Sequence, residues 1–247
     1  MLSYNHPCES FLRRTVILTD MITAKSKRRW YLTAACAIFL PILLARGVGI
    51  ANSFVATDVR YMETLWPTVL FYLRQLFSVI AVGAAVAALT AGVFRFGRKC
   101  GTAVFFLYAC ILLADTAAAF LIDAVSGAVS GGRLMLALIS VLGGWLVGCV
   151  LLLLARLVTE RCEKRGRTPA AAVLRSSVIC MAGRLALETV YLLQFLIEVE
   201  FLPYASEIVV IVGEYLSVVF FHGGVVWLTA AVLQPLLMSV SAKKEKT

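Results

Sequence analysis

"QLFSVIAVGAAVAALTAGVF", residues 75–94, runs for twenty positions without a charged residue or a histidine. As a helix rising ~1.5 Å per residue it covers ~30 Å, the thickness of bilayer hydrocarbon. The rest of the 247-residue chain follows the same pattern: 61% of it is hydrophobic and only 15% charged, where soluble domains carry about 25% charged residues. Long apolar runs fall at about 30–50, 67–94, 101–123, 134–158, 170–198 and 208–238. None shows the alternation of a strand. The reading is an all-α integral membrane protein, a bundle of six transmembrane helices over residues 30–238. A basic N-terminal segment (1–29) precedes it and a short basic tail (239–247) follows.

A net charge of +9 would suit a nucleic-acid binder, but placement argues otherwise. The Lys and Arg residues cluster between the apolar runs. Seventeen lie in the N-terminal segment, in "RFGRK" (94–99 region), in the 156–167 stretch and in the tail; three, Arg46, Arg60 and Arg133, lie toward the opposite face. Cytoplasmic loops carry the excess of Lys and Arg. Both termini are therefore expected in the cytoplasm of a cell with the protein in its plasma (inner) membrane, with the lipid bilayer as partner and no nucleic acid. An alternative start remains. Met21 opens a basic stretch, and Gly49 and Ala51 offer small residues for signal-peptidase cleavage, which would leave five spans. The run from Trp30 to Ile50 contains Pro41 and exceeds a usual signal core, so it is read as a span.

Catalytic and cofactor signatures are weak. The seven cysteines form no CxxC pair or zinc-ligand spacing, so no metal, cofactor or disulfide framework is expected. "GVFRFGRKC" (92–100) resembles a P-loop only in part: Gly97 is followed by Arg98-Lys99-Cys100 rather than Gly-Lys-Ser/Thr. Asp115 and Asp123 stand alone as an acidic pair. Rhomboid-type intramembrane proteases also have six helices, with a serine in the fourth and a histidine in the sixth. Here Ser140 and His222 occupy those spans, but Ser140 lacks the Gly-x-Ser-Gly context. An intramembrane protease is a remote alternative, and an enzyme is not expected.

Small residues mark two spans. The second carries Gly83, Ala84, Ala87, Ala88, Ala91 and Gly92; the fourth carries Gly144 and Gly148 in a GxxxG pattern. Such spacing lets helices approach closely in lipid, so both are expected at tight seams. Short echoes ("LLAR" at 43–46 and 153–156, "LR" at 73–74 and 174–175, Asp115 against Glu214) suggest two inverted three-helix halves, as in many secondary transporters.

The charges within the spans are the candidate site. An ionised side chain at depth costs ~2.5–3.5 kcal/mol on insertion scales, so it turns inward and pairs. Counted from the span ends, Arg74, Asp115 and Glu214 lie at similar depths of ~10–12 Å. Glu188 lies at ~15 Å, with Arg184 one turn deeper on the same face and His222 level with it at ~21 Å. The six form an expected polar network open to the outer side. The resulting function is a small permease or transporter for a small solute or ion. The alternative is a non-catalytic membrane subunit or scaffold, docking a protein partner such as an ATPase through the basic loop 160–169. A transporter should hold a polar cavity reaching the network; a scaffold should be packed dry.

Overall fold

A computed structural model describes residues 7–57, 65–125, 132–198 and 205–240. Within them the elements are six α-helices: α1 (Pro7–Thr57), α2 (Trp66–Phe96), α3 (Arg98–Val125), α4 (Gly132–Lys164), α5 (Pro169–Glu198) and α6 (Ala205–Ser239). Each contains a segment long and apolar enough to cross a membrane. The chain is a multi-pass helical membrane protein. Its helices enclose the expected spans and extend several residues past them. The longest, α1, runs unbroken from the N-terminal segment through the first span.

The turns are short and chemically specified. Gly97 alone separates α2 from α3, at φ 79° and ψ −178°, a conformation essentially restricted to glycine. Its N–H donates to the Val93 carbonyl at 2.9 Å. After α4, Gly166 takes φ 62°; its N–H reaches the Glu163 carbonyl and that of Arg167 the Cys162 carbonyl, both at 3.0 Å. These paired bonds are a Schellman ending, which satisfies the last carbonyls of the helix. Thr168 then caps α5 through Oγ1, accepting from the Ala171 N–H at 3.3 Å, and Pro169 follows at the first helical position, where its missing N–H costs nothing.

Helix α2 is the axle of the bundle. It packs against all five other helices, which form a ring in the order α1, α3, α4, α5, α6 and back to α1. In its most apolar window 72% of residues are buried, against 11–28% in the other five. Its small residues make this arrangement feasible. A Cβ on Gly83 would stand 2.7 Å from Thr229 Cβ and 3.0 Å from the Val226 carbonyl oxygen of α6, and one on Gly92 would stand 2.8 Å from the ring of Trp30 on α1. Trp30 is fully buried there, edge-on to Phe96 at 5.4 Å. Helix association in lipid depends on such close packing, because apolar surface gains little by leaving lipid tails. The expected seam along the second span is present.

Polar contacts fix the ring. Thr159 and Ser176, both buried, lie 3.2 Å apart between α4 and α5, and each donates to the Ala155 carbonyl. Trp145 Nε1 donates to the Ala109 carbonyl at 3.0 Å, joining α4 to α3. Arg95 Nη1 donates to the Met238 carbonyl in the last turn of α6, supplying a cation where that helix leaves its carbonyls unpaired.

The internal echo does not extend to three dimensions. A two-fold relating α1–α3 to α4–α6 would repeat the α2–α6 packing as a contact between α5 and α3. Among the described residues, no Cα of α3 lies within 8 Å of a Cα of α5, and the two helices meet only through side chains such as Tyr108 and Cys180, which line a common cavity. Helix α2 is central while its counterpart α5 lies in the ring, so the inverted-repeat expectation fails.

Candidate functional site

A cavity of about 530 Å³ lies beside α2, enclosed by α3, α4, α5 and α6. Its origin is legible in α4. No atom lies within 4 Å of where a Cβ would stand on Gly143 or Gly144, so the helix is thin at this level and a gap remains. Toward the C-terminal ends of α4 and α6, neighbours close in. Gly148 meets Leu112 of α3, and Gly223 of α6 meets Met181 of α5, each with a hypothetical Cβ 2.8 Å from the facing side chain. The GxxxG pair is thus divided: Gly148 forms the expected seam, whereas Gly144 forms the cavity wall.

Two hydrogen-bonded clamps flank the space. On one side is the Trp145–Ala109 bond. On the other, Tyr215 of α6 donates to the Leu185 carbonyl at 3.0 Å and lies 2.6 Å from Thr189 Oγ1, on α5. These clamps join α3 to α4 and α5 to α6 beside the space and fix the spacing of each pair.

The polar lining is Arg184 and His222, with Tyr108 and Cys180 beside them among aliphatic residues. Arg184 projects from α5 and His222 from α6, so the depth reading that made them level is matched by a shared cavity. Glu188 and Glu214 lie on the same two helices, but their side chains fall outside the described residues. No carboxylate lines the cavity among the described residues. A guanidinium beside an imidazole in an apolar surround attracts an anion, and its planar fork matches a carboxylate or phosphate in bidentate geometry. Tyr108 and Cys180 are uncharged at neutral pH, so counting charges by depth passes over them.

The outer layer is rearranged. Asp115 pairs with Arg46 of α1: Nη2 stands 2.8 Å from Oδ1, Nε donates to Oδ1 at 3.0 Å, and Nη2 also donates to the Asp115 carbonyl at 2.8 Å. Arg46 was placed on the outer face by the charge count. Because α1 continues to Thr57, it lies about three turns inside the helix and faces α3. Arg74 is exposed and its side chain rests against α1 at Gly49. It shares the α1 neighbourhood but is not the counter-ion of Asp115. The structure therefore brings together Arg184 and His222, gives Asp115 a partner outside the expected set, and leaves Arg74 apart from both.

Protease geometry finds no support among the described residues. No serine lines the cavity holding His222, and the Ser140 side chain lies outside the described residues. No family model, curated protein or solved structure matches the chain.

Proposed function

We propose that this protein is a small permease of the plasma (inner) membrane, with both termini cytoplasmic, and that its substrate site is the Arg184–His222 cavity. One observation carries the reading: a cavity within the ~300–1,000 Å³ range of small-molecule sites reaches two ionisable side chains at span depth. A subunit serving only as a scaffold gains nothing from holding a cation beside an unfilled volume in lipid, where each such charge costs ~2.5–3.5 kcal/mol. The favoured substrate class is a small organic anion whose acid group meets Arg184 while its apolar part lies along Val147, Leu151 and Leu152. His222 takes or gives the proton that accompanies it, with Glu188 and Glu214 as further carriers. The Lys and Arg asymmetry supports the orientation.

Thermal unfolding of the detergent-purified protein against organic acids, amino acids and inorganic ions, at mildly acidic and mildly alkaline pH, tests the reading. A ligand at ~100 times its Kd adds ~2.7 kcal/mol by mass action. The expected result is a shift with one class of anion that disappears in Arg184→Gln and weakens in His222→Ala, followed by uptake of that anion into proteoliposomes. Absence of both shift and uptake across the panel sinks the permease reading and returns the protein to the scaffold class.

A further inference from the structure

A second cleft, of about 420 Å³, lies where α4 ends and α5 begins, and none of its lining residues lines the cavity above. Its lining is divided by chemistry. Arg161, Arg165 and Arg175 supply one part, and Val158, Leu174 and Val178 supply much of the other. The three arginines come from separate places in the sequence. Arg161 is in the last turn of α4, Arg165 follows it in the Schellman turn, and Arg175 lies nearly two turns into α5. The tight Gly166 turn folds α5 back so that all three line one recess.

None of the three forms an ion pair among the described residues. Of the two acids in this stretch, Glu160 is held by Arg156 at 2.8 Å, and Glu163 makes no ion pair with the three arginines among the described residues. Arg175 points back across the interface, its Nη1 3.9 Å from Cys162 Sγ, a weak contact that orients the side chain without neutralising it. Three like charges in one recess repel each other, and burying a single phosphate among them relieves that repulsion. The location narrows the source. The membrane-crossing segments end at Lys164 and resume at Pro169, so Arg165 lies between them and Arg161 and Arg175 lie within two turns of their ends, with Val158 and Val178 deeper along the same helices and Leu174 beside Arg175. A phosphate continuous with an acyl chain satisfies both halves; a free phosphate satisfies only the first. Basic pockets between helices on the cytoplasmic side are suited to anionic headgroups, and the charge asymmetry places this end of the bundle there.

We propose that this cleft is a binding site for an anionic phospholipid, with Arg161, Arg165 and Arg175 holding the headgroup phosphate and Val158, Leu174 and Val178 the first acyl carbons. The site is independent of the permease reading and stands or falls separately from it.

Native mass spectrometry of the full-length, delipidated protein in detergent tests it, titrating phosphatidylglycerol against phosphatidylcholine. Phosphatidylglycerol is expected to be retained preferentially, and its retention to fall roughly fivefold for each of R161Q, R165Q and R175Q. Arg98→Gln removes an exposed arginine from the α2–α3 turn and is expected to leave retention unchanged. Equal retention of the two lipids, or equal loss in R98Q, overturns the proposal, since general surface charge then accounts for binding. Unchanged retention in all three cleft variants also overturns it and favours a protein-docking role for the loop. Inorganic phosphate separates the sources. Arginine-dependent thermal stabilisation by millimolar phosphate, matching that by the lipid, overturns the lipid assignment; stabilisation by the lipid alone supports it. R165Q alters an exposed side chain just past the end of α4, so it keeps the test valid if R175Q fails to fold.

Discussion

Gly83 and Gly144 are both glycines in the middle of apolar helices, and they are used in opposite ways. At Gly83 the missing side chain brings two backbones together, with the α6 carbonyl of Val226 3.0 Å from where a Cβ would stand. At Gly144 the missing side chain faces nothing and leaves a cavity. What separates the cases is the company each keeps. Gly83 belongs to the small-residue half of α2, Val79 to Val93, which is buried nearly all round, so neighbours can approach there at every turn. Gly144 lies between Gly143 and Trp145, and the Trp145 bond to the Ala109 carbonyl fixes how near α3 can come. Small residues thus allow close approach but do not compel it.

Substitutions can break or sharpen this contrast. The largest effect is expected on the sealed side, where α1 is held to α3 by Arg46–Asp115. Asp115→Ala should lower unfolding stability by about 3 kcal/mol, because removing one partner strands a charge away from water. A double-mutant cycle with Arg46→Ala should show strong coupling; additive losses would mean that the pair contributes nothing as a pair. Next is the α2 seam. Gly83→Val or Gly92→Val should each cost about 1–3 kcal/mol by overpacking, read as lower Tm in detergent. Tyr215→Phe, which removes a hydroxyl bridging α6 to α5, should cost about 0.6 kcal/mol, the average for such bonds in lipid. The smallest change in stability belongs to Gly144→Leu, within about 0.5 kcal/mol, yet this variant should abolish any ligand-induced thermal shift. If instead it destabilises as strongly as Gly83→Val, the cavity is not the open volume described and the contrast collapses.

The fold was readable because its strongest signal is one-dimensional. An apolar run of sufficient length specifies a spanning helix whatever its neighbours are, and Thr168-Pro169 marks the α5 start by local chemistry alone. Depth is also one-dimensional, so Arg184 and His222 could be placed at one level from residue counts. Direction around each helix was not readable. Asp115 and Arg74 share a depth, but α3 turns Asp115 toward α1, whose neighbours follow from the ring order. That order put α3 beside α1 and kept it from α5, a consequence of which helix became central. The alanine and glycine content of α2 hinted at a seam without revealing that the seam encircles it. Glycines at 143–144 were equally silent, since a tight contact and an empty space have the same sequence.

The central position of α2 also sets a timetable. A membrane chain is released into lipid from its N-terminus, so the second helix to arrive is the one that every other helix must eventually cover. The face of α2 around Gly83 has its partner in α6, which follows it in the chain by four helices. Until α6 has been made, that face lacks the helix that packs closest to it. Chains that stop short of α6 therefore leave the α2 backbone around Gly83 without its close neighbour.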